Sequence, residues 1–392
     1  MTVAPVAGVD RRPERAAADP AAALLEIGGL GVSYGRGRLG RSRSAVLDGV
    51  DLSVRSGEIV GLIGETGSGK TTLARAAVGL VRPDTGTVRF EGRDLVGLGR
   101  RERAAFRRSG QVQYMFQDPL RSQDPDLTVR QIVAEPLAAT GAYDRRERAA
   151  RADEALSLVG LDPAAVATRT PGLISGGQRQ RVSLARAVVT RPRLLLSDEP
   201  VSALDASNRN LVLGLLDRLR QELDLGVLVI SHDLSSLAGI ADRVAVLYRG
   251  HIVEEGPTRE VLESPRHPYT ALLTASAPSV RREHRLLPAQ LRPPEGGAPW
   301  PAGEGCVFAR RCRFADGNCR TQPVRRAARG PSTSGDAEPA QDLGVHDERS
   351  RSEPAAEVPQ SANGLDLESP SPGGAGHTVA CHHADDWRTR LD

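Results

Sequence analysis

The chain has 392 residues and a net charge of +3 from 52 basic and 49 acidic side chains. That balance leaves no broad basic footprint for a nucleic acid, and an aromatic content of 3% offers a single-strand binder little to stack bases on. No apolar run approaches the length of a membrane span and the N-terminus lacks a signal-type apolar stretch, so the sequence predicts a soluble, cytoplasmic chain.

Residues 1–23 are rich in Ala, Pro and Arg without periodicity and predict a disordered leader. From 24 to 56, short alternating runs (Leu25–Ile27, Leu30–Tyr34, Val46–Val54) predict antiparallel strands, with the Gly/Arg/Ser stretch 35–44 as a hairpin tip. Tyr34 is equally consistent with an ordinary strand aromatic and with a ring that stacks on adenine.

Residues 58–72 are the stretch around which the rest is organised. A short β-branched apolar run breaks into Gly64-Glu65-Thr66-Gly67-Ser68-Gly69-Lys70-Thr71, of the form G-x-x-x-x-G-K-T, and Thr72 leads into a helix-prone segment, Leu73–Val78. Strand, glycine-rich loop and helix in that order are the context a phosphate-binding loop needs. Glycines let consecutive backbone N–H groups turn inward around a phosphate, and the helix adds the positive end of its dipole. Lys70 would reach the β- and γ-phosphates and the Thr71 hydroxyl would hold Mg2+. Lys70 is also the only lysine in the sequence, every other basic side chain being arginine. A slim point charge is what must pass under a triphosphate.

Turn signals and short strands follow from Val81 to Gly99, then a basic helical stretch, Arg100–Arg108. The apolar run Val112–Phe116 ends in Gln117-Asp118-Pro119. A glutamine there can reach Mg2+ and an attacking water, but on its own it equally describes a capped strand end. Residues 126–170 predict a mostly helical insertion with breaks at Pro136, Gly141 and Pro163. Next, Ser175-Gly176-Gly177-Gln178 opens a helix to about Arg191, giving a second helix N-terminus with exposed N–H groups that could take a phosphate, or else a plain serine N-cap after a glycine-rich turn. Leu194–Leu196 then runs through Ser197 into Asp198 and Glu199, a buried strand ending in two acids. Such an Asp positions a metal and the adjacent Glu can polarise a water for attack on a γ-phosphate. Asp205 precedes a helix to about Leu223, His232 follows the strand Val227–Ile230, Val244–Gly256 predicts a hairpin, and a helix is expected near Thr258–Glu263.

All four cysteines, Cys306, Cys312, Cys319 and Cys381, lie in the C-terminal quarter, spaced C-x5-C-x6-C with the last far downstream. In a reducing compartment such a cluster suggests a metal before disulfides, but the spacing is not the paired C-x2-C of common zinc modules. Phe308 and Phe314 are expected to give these residues a small apolar cover, too little to fold alone. Residues 320–378 are Ser/Pro/Gly/Glu-rich and predict a long disordered insertion.

The order of phosphate loop, Gln117, Ser175–Gln178, Asp198-Glu199, Asp205 and His232 resembles the ATP-binding subunits of ABC transporters over roughly residues 24–280. The resemblance implies an α/β fold: a P-loop NTPase cassette with a RecA-like parallel core, an antiparallel β subdomain and a helical insertion at about 118–172. A small cysteine-containing extension, 281–392, would follow it. Gly64–Thr72 then match the Walker A loop, Gln117 the Q-loop residue, and Tyr34 the adenine-stacking aromatic. Asp198 and Glu199 match the Walker B metal residue and catalytic base, Asp205 the D-loop, and His232 the switch histidine. Thr71, Gln117 and Asp198 would serve Mg2+. Ser175–Gln178 match the signature that caps the ATP bound by a partner subunit, so a head-to-tail dimer is implied. Ile174 stands where leucine is usual and Val201 where threonine is common; neither change removes a catalytic group.

Within that family, Phe116–Leu120, Ser264–Thr270 and Gly305–Cys312 resemble the oligopeptide/dipeptide importer ATPases, whose close relatives import nickel or other small solutes. This likeness implies a second ATPase subunit, two transmembrane permease subunits, an extracytoplasmic solute-binding protein, no nucleic acid, and a place on the cytoplasmic face of the membrane. It also brings a [4Fe–4S] cluster on the four cysteines ahead of structural Zn2+ or free thiols; hydrolysis is expected to survive loss of tail order, since no tail residue belongs to the cassette's motifs. The rival reading is a soluble ABC ATPase of DNA repair or translation. Those generally need a coiled-coil insertion, a second cassette or a basic surface, none of which this sequence has.

Overall fold

The computed structural model describes residues 23–35, 43–116, 123–201, 205–277, 286–293, 305–328 and 376–391. Two sheets organise them. In the first, β1 (Ala23–Tyr34), β2 (Ser44–Arg55), β4 (Thr85–Phe90) and β5 (Arg93–Asp94) form an antiparallel sheet in the order β2-β1-β4-β5. The second has eight strands. Its parallel part runs β6 (Val112–Met115), β7 (Leu194–Asp198), β8 (Gly226–Ser231), β3 (Ile59–Ile63), β9 (Arg243–Tyr248). β10 (His251–Pro257) returns antiparallel against β9 through a turn in which Arg249 and Gly250 both have positive φ, as a two-residue hairpin turn requires.

β3 is buried at all five residues, which is why it reads as a continuous apolar run rather than an alternating one. Its alternation survives in which core each side chain enters. Ile59 and Ile63 pack on one side of the sheet, Val60 and Leu62 on the other, and β7, β8 and β9 divide their apolar residues the same way. One core joins the sheet to the antiparallel strands and to α1 (Lys70–Ala77); α2 (Arg100–Arg108) adds Phe106 to it. The opposite core holds the helical insertion, α3 (Val129–Thr140), α4 (Arg145–Leu158) and α5 (Pro163–Val166), with α6 (Gly176–Val188) and α7 (Ala206–Leu223). Gly61 faces this side; a Cβ there would lie 2.9 Å from the Leu237 methyl of α8 (Leu234–Leu237), so glycine lets that helix seat closely on the central strand.

Helix ends carry the expected chemistry. Thr128 and Asp144 cap α3 and α4, each with a reciprocal capping box to Gln131 and Glu147. Pro136 is a correction: it does not break the insertion but sits inside α3. Val129, Ile132, Val133 and Leu137 form one buried face of that helix, and their packing outweighs the hydrogen bond a proline forfeits.

Beyond α9 (Thr258–Glu263), α10 (Pro268–Ser276) and α11 (Pro288–Leu291), the described C-terminal residues join the main body. β11 (Arg326–Ala327) and β12 (Thr378–Val379) extend the large sheet beyond β10. Phe308, Phe314 and Trp387 belong to the main core, so the two phenylalanines are not a separate small cover. The leader and most of 320–378 lie outside the described residues.

Candidate active site

The phosphate loop leaves the C-terminal end of β3, the centre of the parallel sheet, where α/β sheets place their ligands. Space and backbone both demand its glycines: a Cβ on Gly64 would lie 2.2 Å from the carbonyl oxygen of Leu247, and Gly69, at the N-cap of α1, has φ 113°. The β9–β10 turn braces the loop from outside, Gly250 N–H donating to the Ser68 carbonyl at 2.9 Å. Lys70 is only 7% exposed; its Nζ donates to the carbonyl oxygens of Gly64 (2.7 Å) and Glu65 (2.9 Å), curling over the loop. Burial pulls its ammonium below the ordinary lysine range, against the upward pull of Glu199, Asp198 and Glu65. The Ser68 hydroxyl is buried with no hydrogen-bond partner. A buried hydroxyl and ammonium beside a helix N-terminus form a cradle for phosphate oxygens.

Two neighbouring strands end beside it. Asp198 closes β7, and its Oδ2 accepts from Thr71 Oγ1 at 3.2 Å and from the Tyr114 hydroxyl at 2.8 Å. Burial, then the Asp198 charge, raises the Tyr114 phenol far above its usual range, so it stays a donor. Thr71 and Asp198 thus present hard oxygen donors at one point, a set that suits Mg2+. Glu199 follows with φ 51°, its N–H donating to the Ile230 carbonyl of β8 at 2.9 Å. His232, just past β8, brings Nδ1 to 2.8 Å from Glu199 Oε1.

Ser175 caps α6, accepting from Gln178 N–H at 3.2 Å while Gln178 Oε1 accepts from Ser175 N–H at 2.8 Å. Asp205 caps α7 by accepting from Asn208, whose side chain also leaves no room for a Cβ on Gly177. Among the described residues no hydrogen bond joins 175–178 to the phosphate loop. Tyr34 ends β1 with its ring exposed. Gln117 lies outside the described residues.

Sequence reasoning missed Tyr114, read as a strand residue, and Arg311 of the cysteine-bearing segment. Arg311 Nη1 and Nη2 donate to Glu65 Oε2 (2.7 Å) and Oε1 (2.8 Å) of the phosphate loop. The tail therefore touches the phosphate loop.

Burial, and then mutual proximity for three of them, raises the four thiols above the usual cysteine range, Cys312 up to about 12. Among the described residues, one group of three donors lies within 4.8 Å of one another: Asp316, Cys319 and His383. Past the C-terminal end of the loop's helix, Leu80, Phe106, Tyr114, Phe116, Pro136 and Arg186 line a groove of about 210 Å³, with Leu80 and Phe116 half exposed.

A phosphate loop on the central strand, flanked by an Asp-Glu strand end, defines a P-loop NTPase. Comparison with known proteins carries this further. Residues 47–202 match the ABC transporter family and 253–319 the family described as oligopeptide/dipeptide transporter, C-terminal region. A putative peptide import ATP-binding protein of Brucella ovis is 42% identical over 303 residues, covering 76% of this chain and 92% of that one. The oligopeptide transport ATP-binding protein AppF of Bacillus subtilis is 41% identical, covering 70% and 84%. Among solved structures, a dimeric ATP-binding cassette in a post-hydrolysis state with ADP and Pi is 30% identical with a TM-score of 0.54, covering 60% of this chain and 99% of that one. The cassette cbiO1 of Clostridium perfringens is 25% identical with a TM-score of 0.55, covering 62% and 91%. The chain belongs to the ATP-binding proteins of ABC transporters. It is an ATP-hydrolysing cassette.

Proposed function

We propose that this chain is the motor subunit of an importer for oligo- or dipeptides, coupling ATP binding and hydrolysis to transport through membrane partners. The observation that carries the chemistry is the Glu199–His232 contact of 2.8 Å beside the Lys70 loop. Glu199 is the base that takes a proton from the attacking water, and His232 holds its carboxylate in place. Lys70, the loop N–H groups and Ser68 hold the phosphates, while Tyr34 stacks on the adenine. Thr71 and Asp198 hold Mg2+, with Gln117 as the third residue assigned to it; bound there, the ion draws charge from the β- and γ-phosphates. The caps at Ser175–Gln178 and Asp205 face a second ATPase subunit, where 175–178 close over that subunit's ATP.

Two transmembrane permease subunits and an extracytoplasmic solute-binding protein complete the machine, with this chain at the cytoplasmic face of the membrane. The groove beside Tyr114 and Phe116 is the seat for a cytoplasmic segment of a permease. It adds Leu80, Phe106, Tyr114, Phe116 and Arg186 to the expected contact face, 118–172. Specificity for peptides is supported by the names of the relatives and by the matched C-terminal region.

The four cysteines suit an iron–sulfur cluster. They are buried or half-buried in one compact unit, and Cys381 feels the charges of Cys312, Cys306 and Cys319. Four thiolates are the ligand set such a cluster takes, and its role here is a staple that orders the tail.

The test is purification from membranes followed by uptake. Co-purification of integral permeases, with ATP-dependent accumulation of labelled peptides in vesicles, is expected. A chain that purifies without membrane proteins and whose ATPase responds to DNA or ribosomes would overturn the reading.

A further inference from the structure

Glu65 is held from three directions. Its carbonyl oxygen accepts from Lys70 Nζ at 2.9 Å, and its N–H donates to the Tyr269 hydroxyl of α10 at 2.9 Å. Its carboxylate meets the Arg311 guanidinium in a two-pronged pair, 2.7 and 2.8 Å, and that pairing holds the carboxyl below its usual range. Arg311 is itself aimed. Its guanidinium lies 5.8 Å from the Tyr248 ring centroid and 5.9 Å from that of Phe308, and both rings are core residues. The short 3-10 turn that carries it, Ala309–Arg311, lies between Cys306 and Cys312, and Cys306 N–H donates to the Cys319 carbonyl at 2.9 Å.

Arg311 and Glu65 are 42% and 41% exposed, so the pair adds little to stability; exposed ion pairs are worth up to about 1 kcal/mol. A planar fork does fix direction, though, and here it fixes the residue whose carbonyl Lys70 grips. We propose that Arg311 is a positioning residue for the phosphate loop, through which the cysteine-bearing tail sets the affinity of the cassette for ATP. It acts on Glu65 and does not touch the nucleotide itself. The inference rests on the phosphate loop binding ATP, as assigned above.

The experiment is a double-mutant cycle on the full chain, reading ATP affinity by equilibrium binding and KM and kcat by turnover. Arg311→Gln should raise Kd and KM about two- to fivefold, the range an exposed pair of this energy supplies, with kcat little changed. Glu65→Gln should weaken binding in the same way without altering the tail. The double variant should be no worse than either single one, because both remove one interaction. Arg310→Ala, an exposed neighbour, should bind as the wild type does. Unchanged affinity in Arg311→Gln would overturn the proposal. So would a Glu65→Gln variant that binds more tightly with additive effects, because Arg311 would then be acting on the phosphates as a bare charge. Lys70→Ala separates the two levels: if it binds ATP normally, the site assignment fails, whatever Arg311 does.

Discussion

The Tyr114 hydroxyl donates to Oδ2 of Asp198 at 2.8 Å, and the same oxygen accepts from Thr71 at 3.2 Å. A phenol on the edge strand β6 thereby orients the carboxylate at the end of β7. Its ring also packs against Phe116, tilted by 58° with centroids 4.8 Å apart, and lines the groove proposed as a permease seat. One side chain therefore touches both the metal-side carboxylate and the surface through which transport would be felt.

Tyr114→Phe removes that hydroxyl and little else. Partners that orient a metal-ligating carboxylate typically change metal affinity by about 10-fold or more. The Mg2+ concentration for half-maximal ATP hydrolysis should rise by about that factor, with most of the maximal rate recovered at high Mg2+. A Mg2+ titration at fixed ATP checks this, and an unchanged midpoint would remove Tyr114 from the site.

His267 predicts acid sensitivity. It is fully buried at the N-terminus of α10, where Nδ1 accepts from Tyr269 N–H at 3.0 Å, and burial pulls its pKa from 6.5 down to about 3. In the unfolded chain it protonates near 6.5, so below that pH the unfolded state binds the extra proton. Stability present above pH 6.5 is then lost as pH falls toward 3, by up to about 1.4 kcal/mol per pH unit from this group. His267→Asn keeps an acceptor at the cap but does not titrate. Its Tm should start lower and then fall less between pH 7 and 5; parallel Tm profiles for variant and wild type would refute the assignment.

Protein purified without oxygen should be brown, with visible absorption that reductant bleaches, and Cys312→Ser should lose the colour. The sequence predicts that ATP hydrolysis survives this loss. The Arg311–Glu65 pair adds to that: Cys312→Ser should raise the KM for ATP as Arg311→Gln does, leaving kcat largely intact. Colourless wild-type protein with stoichiometric zinc would contradict the cluster assignment.

What the sequence made legible was local. The phosphate loop is written in consecutive residues, with glycines forced by the Leu247 carbonyl and by the backbone of Gly69. The Asp198-Glu199 strand end is announced by the apolar run before it. What it hid depends on partners far along the chain: Tyr114 is 84 residues from Asp198 and Arg311 is 246 from Glu65. Neither has a local pattern, since an alternating strand gives no sign of which neighbour its hydroxyl meets. Pro136 misled for the opposite reason: its local preference is clear, and tertiary packing of α3 overrides it. Phe308 and Phe314 looked too sparse for a core because Tyr248, Tyr269 and Trp387, against which they pack, lie elsewhere in the sequence.

The most direct test of the account is ATP binding and hydrolysis measured side by side on Glu199→Gln. The substitution removes a carboxylate and keeps the shape, while Lys70, Thr71 and Asp198 remain in place. Binding should be retained and turnover should fall by about 10²–10⁴-fold, the usual worth of a positioned base. Hydrolysis at the wild-type rate would contradict the assignment of Glu199, and with it the coupling of the His232 contact to the chemistry.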